Sequence, residues 1–137
     1  MTPHRVLIID DNDLNVQLAT FVLSHAAFAV ESAADATQGV LQIALFRPDL
    51  ILMDIQMPDI NGLTLTRRLK ADPATQHIVV VAFTAYAMKG DEAKLRSAGC
   101  DGYIAKPIDI GTFADKVRSY LADGTHGRER YCPVPHS

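Results

Sequence analysis

The sequence predicts a three-layer, doubly wound α/β sandwich, with helices covering both faces of a parallel five-stranded sheet of order 2-1-3-4-5. Three observations predict it. Short apolar runs alternate five times with helix-length segments, the rhythm of strands joined by crossover helices. Three runs (6–9, 50–53 and 78–83) are apolar throughout, as strands buried on both faces must be, while the other two are mixed and belong at the edges. Right-handed crossovers then favour the order 2-1-3-4-5, with a topological switch between the strands ending at Asp10 and Asp54.

The elements follow in order. Val6-Leu7-Ile8-Ile9 ends in Asp10-Asp11-Asn12. The next helix is expected to turn Leu14, Leu18, Phe21, Val22 and His25 to one face, with Asn12 or Asp13 as its cap. Residues 29–33 form a weaker strand. Asp35 starts a helix through Val40, Ile43 and Ala44, which stops before Arg47-Pro48. Leu50-Ile51-Leu52-Met53 ends at Asp54. A short helix after Asn61-Gly62 directs Leu65 and Leu69 inward. The run 78–83 ends at Thr84, and 88–98 reads as a helix with a weak apolar face. Tyr103-Ile104-Ala105 leads into Lys106-Pro107. A last helix, capped by Asp109, carries Ile110, Phe113, Ala114, Val117 and Leu121 on one stripe. Residues 4–122 make one domain, and 123–137, with Gly, Arg, His and Pro, read as a flexible C-terminal tail.

Composition narrows the function classes. The 137 residues are 48% hydrophobic and 21% charged, enough for a core and too apolar for disorder. The net charge of −3 argues against a nucleic-acid surface. No apolar stretch approaches the ~20 residues of a membrane span, and MTPHR shows no secretory signal, so a cytoplasmic location is expected. The acids divide into thirteen Asp and three Glu, a bias toward caps, turns and hard-metal ligands. His4, His25, His77, His126 and His136 lack metal-ligand spacing. Cys100 reads as a small buried residue, and Cys132 lies in the tail. Arg67-Arg68 and Lys70 read as a solvated helix face. Neither GxGxxG nor GxxxxGK[ST] occurs.

The carboxyl ends of four strands deliver Asp10 and Asp11, Asp54, Thr84 and Lys106 to one rim. Ligands of open α/β sheets bind there. Each residue alone has a simpler reading, as a helix cap, a turn former or a solvated lysine. Agreement among four independent strand ends favours a site. Three clustered carboxylates repel one another and call for a cation. Hard oxygen donors without His or Cys suit Mg2+. Carboxylates, a cation, a lysine and a hydroxyl together suit phosphoryl transfer with an Asp as nucleophile. An FMN carrier is disfavoured, since Asp10-Asp11 would repel a phosphate at the first turn. A small-substrate phosphatase working through an aspartyl phosphate would need a second acid and a cap, and the short loops offer none.

The stretches VLIIDDN (6–12), PDLILMDIQMPDINGL (48–63), VVAFTA (80–85) and GYIAKPI (102–108) resemble the receiver domain of bacterial two-component response regulators. The resemblance covers about 4–122 and implies a flavodoxin-like (βα)5 fold. MKGDEAKLRSAGCDGYIAKP is most similar to stand-alone cell-cycle receivers of the DivK kind, and receivers attached to hybrid histidine kinases are similar there too.

Carried over residue by residue, the resemblance implies Asp54 as phospho-acceptor. Asp11, Asp54 and the main-chain carbonyl of Gln56 would bind Mg2+, and Asp10 would act mainly through metal-bound water. Lys106 would pair with the acceptor or the phosphoryl group. Thr84 would shift toward a phosphoryl oxygen, and Tyr103 would be the aromatic switch. Lys106-Pro107 would be a cis peptide, which X-Pro bonds tolerate. Phe83 is bulkier than the aliphatic residue expected before the Thr, and Gln56 and Tyr86 flank the acceptor. The implied partners are a histidine kinase or phosphotransfer protein upstream and a protein target downstream. The target would be read through the fourth helix, fifth strand and fifth helix. A receiver cut from a hybrid kinase, and a degenerate receiver working without phosphorylation, are the neighbouring readings; the complete Asp10, Asp11, Asp54, Thr84 and Lys106 set argues against the latter.

Overall fold

A computed structural model describes residues 3–57, 59–84 and 89–131, with backbone alone for 89–92 and 123–131. Its elements are β1 (Arg5–Ile9), α1 (Asp13–His25), β2 (Ala29–Ala33), α2 (Ala36–Phe46), β3 (Leu50–Met53), α3 (Gly62–Ala71), β4 (Val79–Thr84), α4 (Lys89–Ala98), β5 (Gly102–Ala105) and α5 (Phe113–Tyr131). The five strands are parallel in the order β2-β1-β3-β4-β5, as the hydrophobic pattern predicts. All of β3 and β4, and β1 after Arg5, are buried. The edges β2 and β5 are mixed.

Alternation along each strand divides the core in two. Val6, Ile8, Leu50, Leu52, Val79, Val81 and Phe83 meet Leu23 of α1 and Phe113 and Val117 of α5. Leu7, Ile9, Ile51, Met53, Val80 and Ala82 meet Ile43 of α2, Leu65 and Leu69 of α3 and Leu95 of α4. Each such aliphatic side chain contributes about 1.5–3 kcal/mol by leaving water.

The helix faces correct the sequence reading in three places. In α1 the inward residues are Ala19, Val22 and Leu23, while Leu14 and Phe21 are 74% and 60% exposed. This helix has two apolar stripes, and the one bearing Ala19 lets its backbone approach the sheet. The same reason governs α2. There Ala36, Gly39 and Ile43 face inward, and Val40 and Ala44 are exposed. A Cβ on Gly39 would stand 2.7 Å from Cδ1 of Ile9, so a larger residue there would have to displace the Ile9 side chain. Ile110 lies in the turn before α5 and is also exposed. Helix α5 runs on to Tyr131, into the segment read as a tail, although its apolar stripe ends at Leu121. Met88, Tyr86, Cys132 and His136 fall outside the described residues.

The caps are largely as read. Asn12 accepts from the N–H of Asn15, Asp35 from that of Gln38 and Asn61 from that of Leu63. At the β5 edge, the Tyr120 hydroxyl donates to the carbonyl of Tyr103 (2.9 Å) and lies 3.4 Å from its N–H. Lys70, expected in solvent, instead donates to the carbonyl of Ile78 (2.7 Å) and to Asp101 (2.8 Å). It thereby ties α3 to the start of β4 and β5.

Candidate functional site

The sheet ladder itself places the site. The N–H of Asp10 donates to the carbonyl of Ala33 (3.0 Å) and that of Asp54 to Ile9 (2.9 Å). The N–H of Lys106 donates to Thr84 (2.8 Å). Asp10, Asp54 and Lys106 are thus each held by the bond that continues a strand by one residue, and Thr84 is the last residue of β4. Asp10, Asp54 and Thr84 are buried, at 2%, 7% and 5% exposure, while Asp11 is exposed at the rim.

Carboxylate oxygens of Asp10, Asp11 and Asp54 lie within 4.8 Å of one another. Lys106 Nζ stands 2.8 Å from Asp10 Oδ2 and 3.7 Å from Asp54 Oδ1. It also lies 4.9 Å from the centre of the Phe83 ring, a cation–π distance. That contact gives the bulky Phe83 a role the sequence did not reveal. The same ring stacks on Phe113 with centroids 5.9 Å apart.

Backbone donors fix the carboxylates. Asp10 Oδ1 accepts from the N–H of Asn12 (2.9 Å), and Asp54 Oδ1 accepts from that of Gln56 (3.1 Å). Burial pushes the Asp54 carboxyl up to about 6; Lys106 opposes that rise, and the charge of Asp10 adds to it.

Asp10 Oδ2 is buried and, beyond its charge contact with Lys106, accepts no well-directed hydrogen bond. A buried oxygen met by Lys106 alone, beside two further carboxylates and with no His or Cys in the cluster, fits a hard divalent cation such as Mg2+. Gln56 adjoins this cluster through its bond to Asp54. Tyr103 does not reach it. Half-buried on edge strand β5, Tyr103 packs against the α2–α3–α4 side of the core. The Lys106–Pro107 peptide is cis.

Asp59 was missed by the sequence reading. Its carboxylate accepts from the N–H groups of Ala36 (3.1 Å) and Thr37 (3.0 Å) and from the Thr37 hydroxyl (3.0 Å). No local pattern signals it, because the partners lie more than twenty residues away in sequence.

The chain matches a family model described as the response regulator receiver domain over residues 6–118. The polar-differentiation response regulator DivK of Brucella anthropi is 41% identical over 121 residues, covering 88% of this chain and 98% of that protein. DivK of Brucella abortus is 41% identical over 118 residues, covering 86% and 96%. A CheY-like receiver domain protein from Methanospirillum hungatei has a similar structure, with a TM-score of 0.81 at 26% identity, covering 91% of this chain and 98% of that one. The receiver domain of a sensor histidine kinase from Pseudomonas aeruginosa has a TM-score of 0.78 at 28% identity, covering 88% and 98%. That protein holds a magnesium ion in its active-site cleft.

Proposed function

The chain belongs to the response regulator receiver domain family, and from that premise we propose that it is a stand-alone phosphorylation switch of the DivK kind. A carboxylate oxygen of Asp54 attacks the phosphorus of a phosphohistidine on a histidine kinase or phosphotransfer protein. The P–N bond breaks, the imidazole leaves with the electron pair and takes up a proton, and an acyl phosphate forms on Asp54.

The observation that carries this reading is the buried pair Asp10 and Asp54 with Lys106 Nζ against both. Lys106 balances the charge of the acceptor and then of the phosphoryl oxygens. Thr84, buried at the end of β4, offers its hydroxyl to a phosphoryl oxygen. Asp10, Asp11, Asp54 and the Gln56 carbonyl would hold Mg2+, which when bound neutralises charge on the transferring group. The chain acts on its own acceptor and has no separate substrate. The 41% identity to DivK of B. anthropi supports the DivK kind of receiver.

Phosphorylation adds about −1.5 to −2 charges at Asp54. Thr84 moves toward them, and Tyr103 follows, altering the α4-β5-α5 face that a downstream protein reads. Tyr103 borders a cavity of about 70 Å³ shared with Leu95, Cys100 and Tyr120, which leaves that region room to repack. No helix among the described residues is long and apolar enough to cross a membrane, and the proposed role implies a cytoplasmic protein.

Incubation with Mg2+ and acetyl phosphate tests the proposal. Intact mass should rise by one phosphate, and Asp54→Asn should abolish the rise. A wild-type chain that binds Mg2+ yet stays unmodified overturns it.

A further inference from the structure

We infer that Asp59 is a positioning residue for the metal and phosphoryl site, acting by fastening the β3–α3 loop to the N-terminus of α2. The inference rests on the receiver reading above, in which the Gln56 carbonyl is a metal ligand. The loop between Asp54 and Gly62 has two anchors. At its base the N–H of Gly62 donates to the carbonyl of Ile55 (2.9 Å). No side chain could replace hydrogen on Gly62, because a Cβ would stand 2.3 Å from the carbonyl oxygen of Asp54.

At its tip, Asp59 Oδ1 accepts from the N–H groups of Ala36 (3.1 Å) and Ile60 (2.9 Å). Its Oδ2 accepts from the N–H (3.0 Å) and hydroxyl (3.0 Å) of Thr37. Gln56 lies between the two anchors. Without the tip, only the base and the bond from the Gln56 N–H to Asp54 Oδ1 (3.1 Å) would define where its carbonyl points.

The far side of this contact also reaches the site. Helix α2 follows directly on β2, and the carbonyl of Ala33 at the end of β2 accepts the N–H of Asp10 (3.0 Å). Asp59 therefore closes a frame whose two ends hold Asp10 and Asp54. A helix start has unpaired N–H groups. Here those of Ala36 and Thr37 go to Asp59 and that of Gln38 goes to Asp35 (2.8 Å). The carboxylate of Asp59 is thereby engaged away from the acid cluster, fixed as an anchor instead of being available as a fourth acid at the cation site.

The test titrates Mg2+ alone into the full chain, followed by the backbone amide shift of Gln56, with hydrogen exchange of the Ile60 amide in metal-free protein. In Asp59→Ala the Mg2+ dissociation constant should rise about ten-fold, the lower end of the roughly 10–100-fold range at which lost outer contacts are felt by a metal. Exchange at Ile60 should quicken. Asp59→Asn keeps one acceptor oxygen but turns an amide NH2 toward the donors of the other, so its dissociation constant should fall between those of wild type and Asp59→Ala. Unchanged Mg2+ affinity in Asp59→Ala overturns the inference. So does unchanged exchange at Ile60 in Asp59→Ala, since the loop would then be held without Asp59. If Asp59→Ala loses its fold, Thr37→Val carries the comparison, and unchanged affinity there also overturns the inference. Failure of the wild type to bind Mg2+ or accept phosphate would instead overturn the receiver reading of the site.

Discussion

At the scale of single residues, Asp54 works against the stability of the molecule. Its carboxyl is raised from 3.8 to about 6, chiefly by burial, so the folded state binds a proton more tightly than the unfolded chain. That contribution is present in full below about 3.8 and is lost as pH rises through about 6. Near neutral pH the metal-free fold therefore carries an ionised, poorly solvated carboxylate. Asp54→Asn should be more stable than wild type at pH 7 by on the order of 1–3 kcal/mol. The gap should shrink toward pH 4. Thermal melts of both proteins across that range, with metal removed, check it. A gap that does not depend on pH would assign the effect to packing. Asp59 has the opposite sign. Its carboxyl is held below the ordinary value mainly by the Ala36 N–H, so its contribution is lost only as pH falls below 3.8.

The strand-end residues were legible because a ladder puts consecutive strand ends on one rim whatever the side chains do. Asp59 and Lys70 were not, since each bonds to backbone groups of a distant segment, and a backbone donor or acceptor leaves no mark on sequence.

Among the elements, strand positions were easier to read than helix faces. A strand buried on both sides is apolar at every residue, so β1, β3 and β4 announce themselves. The helices α1 and α2 each carry more apolar residues than they bury. There the choice of face fell to Ala19 and Gly39, small residues whose value is close approach and not hydrophobicity. Gly102 on β5 plays a similar part. A Cβ there would meet Tyr120 Cε1 at 2.1 Å. Gly102→Ala should cost about 1–3 kcal/mol, as overpacked sites do. Most of that loss should vanish in the Tyr120→Leu background, and denaturant unfolding of the four proteins in the cycle measures the coupling. Simple additivity would show that β5 moves aside.

For the whole molecule, the layered (βα)5 arrangement leaves every strand end of the site anchored in a buried ladder, while the loops above it carry the adjustable parts. We place the domain boundary at residue 122, where the apolar stripe of α5 ends with Leu121. A chain stopped after Ala122 should keep its urea-unfolding free energy within about 0.5 kcal/mol, as changes remote from packed features usually do. A larger loss would show that the remainder of α5, through Tyr131, belongs to the folded unit.

The Tyr120 hydroxyl against the backbone of Tyr103 has a consequence for self-association. An open parallel sheet ends in unpaired peptide groups that can template another strand. At β5 the phenol of α5 stands where a sixth strand would pair with Tyr103, and at β2 the exposed Glu31 sets a charge along the opposite margin. Pairing of a further strand is thereby opposed by the phenol at Tyr103 on one border and by a charge on the other. In concentrated solution, contact between helical faces is then favoured over fusion of the sheets.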